Sequence, residues 1–149
     1  MAVLSLPASG VVYLDTSIVI YSVEIHADYW PVLKSLWDAA RNGAITAISS
    51  ELIMLETLVG PLRKRDTRLV PAYDQLFQSP DLRVVPVSQA ILREAAALRA
   101  ALPSLRTPDA LHAATALVTG CTAFLTNDRG FGHVPHLPLV ILDDVLPSR

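Results

Sequence analysis

Four carboxylates, Asp15, Glu56, Asp109 and Asp128, occupy positions from which they can meet. Asp15 ends the apolar run Gly10-Val11-Val12-Tyr13-Leu14 and is followed by two hydroxyls, Thr16 and Ser17. Asp128 falls just past Ala123-Phe124-Leu125-Thr126 in the same way. Glu56 shares a helical stripe with Leu52, Leu55 and Val59, and Asp109 follows Thr107-Pro108 at a helix start. Uncompensated carboxylates brought together repel one another, and some would hold protons. A divalent cation removes that conflict. Oxygen ligands without cysteine or a committed histidine favour Mg²⁺, with Mn²⁺ able to substitute, over Zn²⁺. Such an ion activates water and steadies a pentavalent phosphorus, which makes a phosphodiester the natural substrate.

The elements that must position these groups follow from periodicity. Residues 11–14 lack polar alternation and predict a strand buried on both faces. Thr16 and Ser17 are placed to cap a helix over 17–25 and to donate to the Asp15 carboxylate. Asp28 reads as the cap of a second helix over 29–41, whose stripe is Val32, Leu33, Leu36, Trp37 and Ala40 and whose stop is Asn42-Gly43. A strand over 44–48 follows, with Ser49 and Ser50 opening a helix over 51–63 that kinks at Gly60-Pro61. On that helix Glu56, rather than Glu51, lies within the apolar stripe, where an unpaired carboxylate is costly. Asp66 or Thr67 caps a helix ending at Gln78. A strand over 82–87 leads to a helix over 88–101 with Ile91, Leu92, Ala95 and Leu98 inward. Thr107 as cap and Pro108 in first position start a helix running to Gly120, with Asp109 in the first turn, where the macrodipole favours negative charge. His112 reads as a packed or hydrogen-bonded group at the margin of the acids. Strands over 123–126 and 139–142 complete the alternation, with a tight turn at 127–131 and a loose tail at 146–149. Alternating strands and helices predict a mainly parallel sheet with helices on both faces. Its carboxyl edge would then gather all four acids.

The bulk properties set bounds. A chain of 149 residues suits one domain, here 1–149. Its 52% hydrophobic content is high, yet no apolar run reaches the roughly 18–20 residues of a membrane span. The N-terminus shows no basic segment or cleavage site of a signal peptide, and the single Cys121 forms no internal disulfide, so a cytoplasmic setting is expected. A net charge of −2 argues against broad attraction to nucleic acid. The one dense basic cluster, Arg63, Lys64, Arg65 and Arg68, is either a solvated face or a contact surface for an RNA backbone. His133-Val134-Pro135-His136 has a spacing seen in metal sites, but it lies in a proline-rich loop without cysteine partners and reads as loop.

Taken together, Leu14-Asp15-Thr16-Ser17, Glu56, Thr107-Pro108-Asp109-Ala110-Leu111-His112 with Ala114-Thr115-Ala116, and Leu125-Thr126-Asn127-Asp128 with Phe131 resemble the successive signatures of the PIN domain. Within that family the resemblance is to the VapC-like toxins of bacterial toxin–antitoxin pairs. It implies a three-layer α/β/α fold whose central, mostly parallel sheet has about four or five strands. It also implies a metal-dependent endoribonuclease. Asp15 and Asp109 would be principal metal ligands, Asp128 would complete the site, and Glu56 would assist proton removal from water. Thr16, Ser17, Thr126 and Asn127 would orient the carboxylates. A homodimer held inactive by an antitoxin, on an RNA substrate, is the implied assembly. The chain departs from the pattern by a short extension before Asp15 and by Gly130 where an acidic residue often stands.

Other classes fit less well. A phospho-aspartate receiver needs a second acid beside Asp15 and a late lysine, but the only lysines are Lys34 and Lys64. A serine hydrolase needs a Gly-x-Ser-x-Gly elbow, which is missing. A PIN-like binding module, non-catalytic or RNA-processing and not paired with an antitoxin, is the remaining alternative. It is expected to have lost one or more of the acids.

Overall fold

A computed structural model describes residues 6–146. Within them run β1 (Gly10–Leu14), α1 (Thr16–Val23), α2 (Trp30–Arg41), β2 (Ile45–Ser50), α3 (Leu52–Arg63), α4 (Leu69–Gln78) and β3 (Arg83–Val85). The chain continues through α5 (Gln89–Ala101), α6 (Thr107–Thr119), β4 (Ala123–Thr126), β5 (Leu139–Ile141) and α7 (Leu142–Val145), with a 3₁₀ turn at Arg129–His133. All strand pairs are parallel, in the order β3-β2-β1-β4-β5. This is the expected α/β/α fold.

Pleating sorts the sheet residues into two cores. Val12, Leu14, Ala47 and Leu125 face Ile18 and Val19 of α1, Leu33 and Leu36 of α2, Ile53 of α3 and Tyr73 of α4. Tyr13, Ile48 and Phe124 face the other way, onto Ile91, Ala95 and Leu98 of α5 and Ala110, Ala113, Ala114 and Ala116 of α6. The alanines let α6 lie close to the sheet, which carries its first turn to the sheet's edge. From β1 the chain adds β2 and β3 on one side, then crosses back to add β4 and β5 on the other, so the strand order reverses between β1 and β4. In open α/β sheets the ligand crevice forms at such a switch point, beyond the carboxyl ends of the strands.

Several local expectations change. Ser49 and Ser50 belong to β2 and are fully buried. The Ser49 hydroxyl donates to Leu14 O at 2.6 Å, and Ser50 Oγ accepts the Leu52 N–H from within the strand. Hydroxyls satisfied in this way read locally as a cap. The cap of α1 is Asp15 itself, which accepts the Thr16 N–H, and α1 ends at Val23. Tyr29 rather than Asp28 precedes α2, and Arg106 rather than Thr107 precedes α6. Thr107 is already helical, and its hydroxyl accepts from Arg99. The third strand is shorter than its apolar run, ending at Val85 before Pro86. Leu92 is half exposed. Asp66 accepts the N–H groups of Arg68 and Leu69 ahead of α4, as anticipated. Of the tail expected at 146–149, residues 147–149 lie outside the described residues.

The largest correction concerns α3. Its buried face is Ile53, Thr57 and Pro61, while Leu55 and Val59 are 68% and 47% exposed. Thr57 turns inward because its hydroxyl donates to Ile53 O at 2.6 Å, leaving no unpaired polar group. Glu56 therefore does not sit on a core stripe. It lies at the border between buried and exposed faces, looking toward α1 and α6.

Gly10 opens β1 at φ +87°, and a Cβ there would run into the Thr122 hydroxyl. That hydroxyl exchanges hydrogen bonds with Val11 N–H and O, tying β1 to the entry of β4. Gly10→Ala is expected to cost about 2 kcal/mol, lowering the melting temperature by about 5 °C in a thermal melt, through left-handed strain and the steric conflict. Among the described residues no helix is long and apolar enough to cross a membrane.

Candidate active site

Asp15 and Thr126 lie side by side because Leu14 and Leu125 are register partners and the ladder continues through Asp15 N–H to Leu125 O at 3.0 Å. The Asp15 carboxylate is held at both oxygens. Oδ1 accepts the Thr16 N–H at 2.8 Å, and Oδ2 accepts the Thr126 hydroxyl at 2.7 Å. Thr126 Oγ1 in turn accepts the Asp128 N–H at 3.0 Å, so one hydroxyl links the two acids that follow β1 and β4. Asp128 Oδ1 accepts the Gly130 N–H at 2.8 Å and opens the 3₁₀ turn. Asp109 sits in the first turn of α6 with Arg106 Nε 3.2 Å from its Oδ2.

Glu56 enters from α3. Its Oε1 accepts the Thr16 hydroxyl at 2.8 Å and lies 2.6 Å from His112 Nε2. His112 is 1% exposed, and its Nδ1 lies 2.6 Å from the Tyr13 hydroxyl. Burial raises the Tyr13 phenol far above its usual range, so it stays protonated and has one hydrogen to give. A carboxylate has no hydrogen to give, so the hydrogen between Nε2 and Glu56 Oε1 belongs to His112, which donates to Glu56. Tyr13, His112 and Glu56 thus form one chain of hydrogen bonds from the core to the crevice.

Asp15 and Glu56 differ electrostatically. Burial raises the Asp15 pKa, and the nearby charge of Glu56 adds to this, outweighing His112, Thr126 and Thr16, which act the other way. Burial also works against the charge on Glu56, but the bonds from His112 and Thr16 prevail, and its pKa is lowered. Glu56 is therefore kept as a carboxylate while Asp15 retains its proton more readily than an exposed aspartate.

All four acids line one open cleft of about 450 Å³, together with Thr16, Ser17 and Asn127. Among the described residues no three acidic, histidine or cysteine side chains form a ready-made metal cage. The donor set nevertheless suits a hard cation: it is all oxygen, and neither Asp109 Oδ1 nor Asp128 Oδ2 accepts a hydrogen bond from the described residues. The anticipated supporting residues divide. Thr16 and Thr126 bond to the acids, whereas Asn127 Oδ1 accepts the Asp143 N–H and Ser17 only lines the cleft. Glu51 is turned away, with its Oε1 accepting the Val87 N–H. Arg63, Lys64, Arg65 and Arg68 do not line the cleft and begin about 10 Å beyond Glu56 along α3. The cations that do line it, Arg106 and Arg129, were not singled out in the sequence, nor was Tyr21. Tyr13 was read only as core. Its signal is a phenol whose neighbours Val12 and Leu14 face the opposite core, one residue before the strand's last position.

The family model of the PIN domain matches residues 12–137. No curated protein matches the chain. Among solved structures, VapBC2 from Rickettsia felis bound to a DNA fragment from their promoter aligns with a TM-score of 0.72 and 22% identity, over 88% of this chain and 98% of that one. FitAcB from Neisseria gonorrhoeae aligns with a TM-score of 0.67 and 17% identity, over 88% and 97%. VapBC-5 from Mycobacterium tuberculosis, a member of the VapBC family of toxin–antitoxin systems, aligns with a TM-score of 0.55 and 23% identity, over 91% and 98%. At these identities the likeness is one of fold.

Proposed function

The chain belongs to the PIN-domain family, and on that premise we propose that it is a metal-dependent endoribonuclease, the toxin of a toxin–antitoxin pair. The observation that carries this reading is the single cleft at the β1/β4 switch point lined by Asp15, Glu56, Asp109 and Asp128. Asp15, Asp109 and Asp128 would hold Mg²⁺ or Mn²⁺. When bound, the cation supplies Lewis-acid polarisation of a phosphodiester and favours ionisation of water. The chain's own groups do the rest. Glu56 Oε1 is engaged by His112 and Thr16, which leaves Oε2 to take the proton of the attacking water. Thr126 and the Thr16 N–H fix the Asp15 carboxylate, so that its orientation is set before substrate arrives. The basic cluster after α3 remains a proposed contact for the RNA backbone, on charge density alone. The test is cleavage of single-stranded RNA by the purified chain in Mg²⁺ or Mn²⁺, quenched by EDTA. A preparation that leaves such RNA intact under those conditions contradicts the reading.

The partner is proposed to dock on α3. Leu55, Val59 and Leu62, 68%, 47% and 59% exposed, make a stripe at helical spacing beside Glu56, and Ile25 after α1 is 60% exposed. Apolar surface gathered in this way marks an interaction face, and a protein segment laid along it would cover the cleft. A homodimer and a cytoplasmic setting complete the proposal. Leu55→Glu with Val59→Glu is expected to leave RNA cleavage intact and to weaken inhibition by the product of a neighbouring small gene at least about tenfold. Light scattering of the isolated chain reports whether dimerisation shares the stripe. Unchanged inhibition would remove α3 from the partner's footprint.

A further inference from the structure

A second, smaller pocket adjoins the acidic cleft and shares Asp109 and Asp128 with it as a common wall. Its remaining lining comes from the 102–105 segment and the 3₁₀ turn. Leu102, Leu105 and the buried Phe131 line it, and so do the exposed Ser104 and His133.

Its size and chemistry indicate what it takes. The volume is about 140 Å³. An apolar cavity of about 150 Å³ is known to accept one benzene ring. The pocket therefore has a volume of the order that one planar six-membered ring needs. Leucine and phenylalanine walls suit the faces of such a ring. Among the described residues neither the Ser104 hydroxyl nor the His133 imidazole has a hydrogen-bond partner, so both are available to a ring edge. The pocket walls are braced from behind. Phe131 packs on Phe124 with ring centroids 4.8 Å apart, and Phe124 stacks on Tyr13 at 4.9 Å. On the other side Arg99 donates to Leu105 O and to the Thr107 hydroxyl, clamping the segment that carries Leu105.

We propose that this pocket seats one nucleobase of the substrate strand, adjacent to the phosphate that lies against the acids. The proposal rests on the ribonuclease reading and adds to it a binding site: a single base, flipped out of the stack, held at a fixed distance from the cleaved bond. Cleavage then depends on a base being present at one position relative to that bond, and little on which base it is, because every nucleobase offers a flat apolar face.

The experiment uses an RNA oligonucleotide with one mapped cleavage site and a set of versions carrying a single abasic residue at each successive position. Cleavage in Mn²⁺ by the wild-type chain is expected to fall about tenfold in kcat/KM for one abasic position next to the cleaved bond and to change less than about twofold at the others. Ser104→Trp, on an exposed loop and able to fill the pocket with its own ring, should slow cleavage of the intact oligonucleotide about tenfold and abolish the selective abasic effect. Equal cleavage of every abasic version by the wild type, or an undiminished abasic effect in Ser104→Trp, overturns the base pocket and leaves the nuclease intact. Failure of the wild type to cleave even the intact RNA overturns both.

Discussion

Asp15→Asn is expected to abolish RNA cleavage and, in the metal-free chain, to raise the melting temperature. The loss follows from charge. Asparagine keeps the shape and can still accept the Thr16 N–H, but a neutral amide is a poor ligand for a hard cation. Several kcal/mol of transition-state stabilisation lost corresponds to a fall of about a thousandfold or more. The gain in stability follows from the raised pKa of Asp15, whose charge is disfavoured first by burial and then by Glu56. A group with a raised native pKa binds its proton more tightly in the folded state. It therefore contributes stability that is fully present below the ordinary aspartate value of 3.8 and is lost as pH rises through the native value. The melting-temperature advantage of Asp15→Asn over wild type should accordingly be smallest near pH 4, grow as pH rises through the native pKa, and level off above it at a few degrees. Added Mg²⁺ should stabilise the wild type and not the variant. A difference independent of pH would show that Asp15 is not strained as a charge.

His112→Ala is expected to damage both fold and activity. It removes a buried ring, leaves the Tyr13 hydroxyl without its ring partner and strips Glu56 of its shortest hydrogen bond. Cavity and unpaired polar groups together should cost about 3 kcal/mol, near 10 °C in melting temperature. Cleavage, measured at a temperature where the variant is folded, should fall about ten- to a hundredfold, mainly in kcat, because Glu56 is no longer held. His112→Gln separates the two roles. Its amide can reach the place of Nε2 and donate to Glu56 again, so it should recover most of the activity while remaining less stable than wild type. Activity lost equally in both variants would make His112 a core residue only.

The architecture was legible in the sequence because apolar strands recur with amphipathic helices between them, and β1 and β4 are followed by acids that the fold brings together. The errors came from residues whose local signal and tertiary role conflict. Ser49 and Ser50 look like a cap and are buried strand because Leu14 O and the Tyr13 hydroxyl take their hydrogen bonds. Leu55 and Val59 look like core and are exposed, since hydrophobic periodicity reports an apolar face without saying whether that face meets the chain's own sheet or another molecule. Glu56 was singled out on the assumption that this stripe is buried. The structure turns the stripe outward, yet Glu56 still lines the cleft, because the border of α3 lies against Thr16 and His112. The Tyr13–His112 link joins residues 99 positions apart, and no local pattern announces it.

The proposed action of these carboxylates on RNA runs through a divalent cation. It is tested most directly by single-turnover cleavage of an end-labelled single-stranded RNA across a Mn²⁺ series, with wild type and Asp109→Asn purified in parallel. The wild-type rate should rise from nothing in EDTA to a plateau as the cation saturates its site, while Asp109→Asn stays at background throughout. A wild-type rate indifferent to the cation, or the same rise in Asp109→Asn, would contradict the account.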